Sequence, residues 1–142
     1  MSQFFYIYSH LNDKRFDPDI DEVLLRMREE DVASIVVGTD KEMSERAIEL
    51  AEKNADIWAT IGQHPTDHAD EVFDAEWYKV SSVHPRVVAI GECGLDYYWP
   101  AHDNWKPGEA VEKKRQQELF ELHIALAQTV DKPLMIHGRP TK

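Results

Sequence analysis

Five short apolar runs recur along the chain: FFYIYS (4–9), ASIVVG (33–38), IWATIG (57–62), RVVAIG (86–91) and PLMIHG (133–138). Each has the length and the Ile/Val content of a strand buried on both faces. Runs two to four stop at a glycine (Gly38, Gly62, Gly91), and the fifth reaches Gly138 one residue after His137. Between them the apolar period changes to that of a helix. In 19–30, Ile20, Val23, Leu24 and Met27 form one stripe, with Asp17 and Pro18 read as N-cap and first turn. Met43, Ala47, Leu50 and Ala51 repeat the spacing in 41–54, and 69–83 carries a weaker version through Val72, Phe73, Trp77 and Val80. The long segment 109–130 places Leu119, Leu122, Leu126 and Val130 on one face, with the charges from Glu112 to Arg115 at its front.

Strand and helix alternate without hairpin signals, so the connections are crossovers and the sheet is parallel. The predicted class is α/β. The segment WPAHDNWKPG (99–108), with two prolines, is the one long loop. No linker or low-complexity tract divides residues 1–142, which read as a single domain. An eight-stranded β/α barrel takes about 250 residues, and five strands cannot close one. The alternation alone predicts an open parallel sheet whose first and fifth strands are exposed edges, so the chain is expected to be a fragment of a longer protein or to pair with a second copy or a partner chain.

Charge narrows the function. The formal net charge of −11 over 142 residues repels polyphosphates unless cations intervene. A passive nucleic-acid binder is disfavoured, whereas an enzyme that meets phosphates through a divalent metal is not. The longest apolar runs are far shorter than a membrane span, the N-terminus shows no secretion signal, and the single Cys93 suits a reducing compartment. A cytoplasmic protein is expected, with no membrane partner.

In parallel α/β folds, side chains at the C-terminal ends of strands converge on one face. Those ends hold His10, Thr39 and Asp40, His64, Glu92 and His137. Imidazole and carboxylate are the donors that hydrolytic divalent-metal sites use. Glu92, between Gly91 and Cys93-Gly94 on an apolar sheet rim, is read as a metal ligand together with His10 and His137. Taken alone, each residue has a plainer reading: Glu92 could pair with an arginine such as Arg139, and His64 could be a hydrogen-bonded loop residue. Asp96 is read as a turn residue or a partner of a ligand. Tyr97, Tyr98 and Trp99 are read as aromatic filling, and His68, His84, His102 and His123 as surface histidines. Cys93 lacks the companions of a catalytic thiol.

AIGECGLDYY, KPLMIHGRP and IGQHPTDH, with IVVGTD and RFDPDIDEVL, resemble the TatD family of metal-dependent hydrolases. The resemblance runs in order along essentially the whole chain. It implies a TIM-type barrel, of which this chain would hold about five strands, and two divalent ions (Mg, Mn or Zn) hydrolysing phosphodiesters, typically DNA from the 3′ end. It also implies Glu92 as the bridging and catalytic carboxylate, His10 and His137 as further ligands, and His64 and Arg139 lining the substrate pocket. The N-terminal motif departs from the family: Tyr6 stands where an Asp is expected and Tyr8 where the first metal histidine is expected. The remaining family ligands would lie beyond Lys142. One ion or none is therefore expected here, and the alternative is a non-catalytic remnant that binds only a metal or a partner. A third reading keeps the metal and changes the bond to an amide or phosphomonoester.

Overall fold

A computed structural model describes residues 3–67, 70–102 and 108–141. The five apolar runs become β1 (Phe4–Ser9), β2 (Val32–Val37), β3 (Ile57–Ile61), β4 (Val87–Asp96) and β5 (Leu134–Arg139). The amphipathic stretches become α1 (Ile20–Glu29), α2 (Lys41–Lys53), α3 (Ala75–Ser82) and α5 (Glu109–Val130). A 3-10 turn at Lys14–Phe16 and a short α4 (Tyr98–His102) complete the order. The sheet order is β1-β2-β3-β4-β5 with every pair parallel. Neighbours in sequence are neighbours in space, so the winding never reverses, as in a barrel wall and unlike a doubly wound sheet.

The helices cover one face of this wall. Leu24, Ala47, Ala51, Tyr78, Leu126 and Ala127 pack against buried strand residues including Val36, Ile57, Ile61 and Ile90. Each large aliphatic side chain buried there contributes about 1.5–3 kcal/mol. Asp40 caps α2 by accepting from Met43 N (2.6 Å), and Asp74 caps α3 by accepting from Trp77 N (3.1 Å).

Four readings of the sequence need correction. Neither edge run is buried: Phe4, Phe5, Tyr6 and Ile7 are all more than half exposed and β5 has no buried residue, because among the described strands β1 pairs only with β2 and β5 only with β4. The open edge itself was expected. Asp17 does not cap α1; Asp19 holds that position without a side-chain bond, and Asp17 pairs with Arg46. β4 does not stop at Gly91. It runs on to Asp96 across a bulge, where Ile90 and Cys93 face Leu134 and Ile136. Glu92 thus sits inside a strand rather than beyond its end.

The last correction concerns α5. Its buried stripe runs through Glu112, Gln116, Leu119, His123 and Leu126, and Leu122 is half exposed. His123 is fully buried rather than on the surface: Nδ1 donates to Leu119 O (2.8 Å) and Nε2 accepts from Gln63 N (2.9 Å). His84 pairs with the half-exposed Glu52 at 3.0 Å. His68 and the His102 side chain lie outside the described residues, as does 103–107 of the predicted long loop.

Candidate metal centre

The strand ends and the β4 bulge open on one cavity of about 340 Å³, lined by His10, His64, Glu92, Asp96, His137 and Arg139 among others. All six residues singled out from the sequence reach it. They do not all reach one another. His64, Glu92 and His137 offer ligand atoms that lie within 4.8 Å of one another. Glu92 Oε1 is 2.8 Å from His137 Nδ1 and 3.8 Å from His64 Nε2, and the two imidazoles approach at 3.2 Å. His10 lines the cavity without joining this group; its ring stands edge-on to Tyr8, centroids 5.2 Å apart.

Close strand packing makes this convergence possible. Gly94, at φ +138°, has no room for a side chain: a Cβ would lie 2.1 Å from the carbonyl oxygen of His137. Gly91, at φ +147°, would meet Met135 O at 2.4 Å. The glycines around Glu92 therefore let β5 approach β4 and bring His137 to the carboxylate.

Glu92 is almost fully buried (1% exposed). Burial pushes its carboxyl up, but hydrogen bonds from His137 and Tyr8 and the nearby imidazoles outweigh it and hold the group below the usual carboxylate range. An ionised carboxylate in a buried site is what a cation requires. His137 is shifted the opposite way, raised first by its bond to Glu92 and further by Asp96, against the effect of burial. Its Nε2 lies 3.0 Å from Asp96 Oδ2. A carboxylate on the far nitrogen is the usual partner of a metal-ligating histidine, because it fixes the ring; Nδ1, bonded to Glu92, would exchange that bond for an ion.

His64 is held differently. Its Nδ1 accepts from the main-chain N–H groups of Thr66 and Asp67, both at 3.3 Å. These donors cannot swing away, so they favour the ring proton on Nε2, which faces Glu92 and His137. The Asp67 carboxylate, 3.2 Å from the same Nδ1, favours the opposite tautomer, and the Thr66 hydroxyl at 3.3 Å can serve either. Two fixed donors outweigh one half-exposed acid. His64 then presents Nε2–H to Glu92 and His137, and it stands with them in one group of possible metal ligands.

Arg139 does not pair with Glu92. Its guanidinium stacks over Tyr98 (4.0 Å) and Trp99 (5.0 Å) at the edge of the cavity. The aromatics read as filling thus hold a cation in place. Tyr8, read only as a break in the motif, hydrogen-bonds to Glu92, and burial followed by that bond raises its phenol further out of the titrating range. It stays a neutral donor. Burial pushes the Cys93 thiol up to about 12, consistent with an inert side chain.

The profile of the TatD-related DNases matches residues 8–142. The chain belongs to this family. The Bacillus subtilis (strain 168) protein named uncharacterized metal-dependent hydrolase YabD is 42% identical over 137 residues, 95% of this chain and 50% of YabD. The 3′-5′ ssDNA/RNA exonuclease TatD of Cronobacter turicensis is 35% identical over 140 residues, 95% of this chain and 49% of its own length. The crystal structure of YJJV, a TatD homolog from Escherichia coli K12, superimposes with a TM-score of 0.80 at 29% identity. It covers 97% of this chain and 51% of its own. The five-stranded wall is thus the half-barrel that the TatD resemblance implied, and the chain spans about half the length of these relatives.

The donor set fits one divalent cation better than two. Glu92 and His137 supply a hard and a borderline donor hydrogen-bonded at 2.8 Å, and tetrahedral ligands with bonds of about 2.1 Å would lie about 3.4 Å apart, so an ion would have to part them. Among the described residues one group of candidate ligands gathers at Glu92, that of His64, Glu92 and His137, and Tyr8 stands beside the carboxylate. A catalytic zinc site usually draws on three protein ligands, so an ion held by Glu92 and His137 alone would bind weakly.

Proposed function

We propose that the chain carries one half of a metal-dependent phosphodiester-hydrolysing site, acting on single-stranded nucleic acid from the 3′ end in the cytoplasm. The observation that carries the proposal is the cluster of a buried, ionised Glu92, a His137 braced by Asp96, and His64 in one cavity. The names of the relatives supply the substrate class. Glu92 and His137 would hold the ion, with His10 as the remaining candidate ligand along the cavity wall. A divalent ion there would polarise a phosphoryl oxygen and supply a nucleophile at neutral pH.

The chain's own residues perform the rest. Asp96 orients His137 so that Nδ1 points inward. His64 presents Nε2–H to an anionic oxygen, the placement needed for a donor that acts where charge develops. Arg139, fixed on Tyr98 and Trp99, supplies positive charge at the mouth, where the net charge of −11 would otherwise repel a phosphate. Incubating the chain with 3′-labelled single-stranded DNA and Mn²⁺ tests the proposal, beside Glu92→Gln. Stepwise shortening that the variant lacks supports it. Equal, absent or metal-independent cleavage contradicts it.

One observation favours a second reading. The Tyr8 hydroxyl occupies a position beside Glu92, which suits a chain that binds an ion without turning over a substrate. Saturable Mn²⁺ binding without any DNA, amide or phosphomonoester hydrolysis would select that reading.

A further inference from the structure

The front of α5 carries the charges from Glu112 to Arg115, and two polar residues of this turn are buried behind Asp96. Gln116 has no exposed surface and Glu112 only 2%. The Gln116 side-chain amide clasps the main chain of Asp96: Oε1 accepts from Asp96 N and Nε2 donates to Asp96 O, both at 2.8 Å. Nε2 also donates to Glu112 Oε1 at 3.1 Å. Glu112 Oε2 accepts from Arg115 Nε at 2.9 Å, and Arg115 Nη2 donates to the carbonyl of Pro65, the residue after His64. One turn of one helix therefore holds both flanks of the cluster. Gln116 fixes the residue whose carboxylate braces His137, and Arg115 fixes the loop whose N–H groups brace His64.

We propose that Gln116, Glu112 and Arg115 form a positioning device for the metal centre. Through Asp96 they set the ring orientation of His137, and through Pro65 that of His64. The arrangement has a physical reason. Asp96 is the last residue of β4 and still pairs with Arg139 of β5, whereas the ladder on the other side, to β3, ends at Ile90. A side-chain amide replaces the missing strand partner and keeps both main-chain groups satisfied in a buried place. A buried Glu is costly unless paired, and Arg115 together with Gln116 pairs it. Leucine at 116 would leave two main-chain groups and the Glu112 carboxylate short of partners, and Asp96 would be free to turn from His137.

The inference deepens the metal-site reading and is tested without turnover. Gln116→Leu and Arg115→Ala are compared with the unaltered chain by Mn²⁺ titration and, without metal, by nitrogen-15 NMR of the histidine rings. Partners of ligating histidines are worth about 10- to 100-fold in metal affinity. Gln116→Leu should therefore weaken Mn²⁺ binding at least about tenfold. In the same variant the His137 ring signals should move while those of His123, seven positions further along α5, stay in place. Arg115→Ala should move the His64 signals more than those of His137. Mn²⁺ affinity within twofold of the unaltered chain in a folded Gln116→Leu overturns the proposal, as does equal movement of His123 and His137. If Gln116→Leu does not fold, Arg115→Ala decides: unmoved His64 signals overturn the proposal. Failure of the unaltered chain to bind Mn²⁺ would sink the metal reading itself, while the metal-free ring signals would still judge the positioning.

Discussion

Lowering the pH should destabilise the chain through one buried histidine. His123 is fully buried in α5, and burial lowers its ring from the ordinary 6.5 to about 4, only partly opposed by the bond to Leu119 O. Its neutral Nε2 accepts the N–H of Gln63, the residue before His64. Because the folded pKa lies below the unfolded one, the unfolded state takes up the proton first. The contribution is complete above about pH 6.5 and is lost as pH falls towards 4. The full difference corresponds to about 3 kcal/mol, of which about 2 kcal/mol has gone by pH 5. His123→Met removes the titration and leaves the Gln63 N–H unpartnered, at a cost of about 1–3 kcal/mol near neutral pH. Urea unfolding followed by circular dichroism at pH 7.5, 6 and 5 reads both proteins. The variant should be the less stable at pH 7.5, and the gap should narrow by about 2 kcal/mol at pH 5. Carboxylates elsewhere titrate alike in both and cancel. A gap that stays constant from pH 7.5 to 5 would refute the reasoning.

Other perturbations have equally direct readouts. Gly94→Ala puts a Cβ at φ +138° against the His137 carbonyl and should cost about 3 kcal/mol in urea unfolding; an unchanged midpoint would mean that β4 and β5 are not packed as described. Tyr8→His replaces the phenol beside Glu92 with an imidazole and should tighten Mn²⁺ binding about tenfold, or 1.4 kcal/mol; no change in the titration would place residue 8 out of reach of the ion. The exposed run Phe4–Ile7 on an open edge should make the average mass rise with concentration in sedimentation, and Ile7→Lys should lower it; a monomer at every concentration would show that the edge is shielded.

The fold was legible because its signals are local. Apolar runs of strand length alternating with helical stripes require crossovers, and crossovers require a parallel sheet. The strand-end rule then gathered His64, Glu92 and His137 without reference to the family, and His10 only as far as the same cavity. What escaped the sequence depends on contacts across the sheet. FFYIYS is apolar enough for a core, but its burial depends on whether strands flank it on both sides. The extension of β4 past Gly91 rests on a bulge against β5, which no local pattern announces. On α5 the stripe was anchored on Leu122, one position off. Taking Leu119 and Leu126 with a spacing of three and four leads instead to His123, Gln116 and Glu112, which polarity alone assigns to solvent. Tyr8 was noticed for what it replaces, and its bond to Glu92 needed coordinates.

The central claim is that Glu92 and His137 form a working cation site in this chain. Calorimetric titration of the chain with Mn²⁺, beside Glu92→Gln, tests it most directly. The structure predicts saturable binding of about one ion per chain, lost in the variant. Indistinguishable isotherms for the two proteins would contradict it.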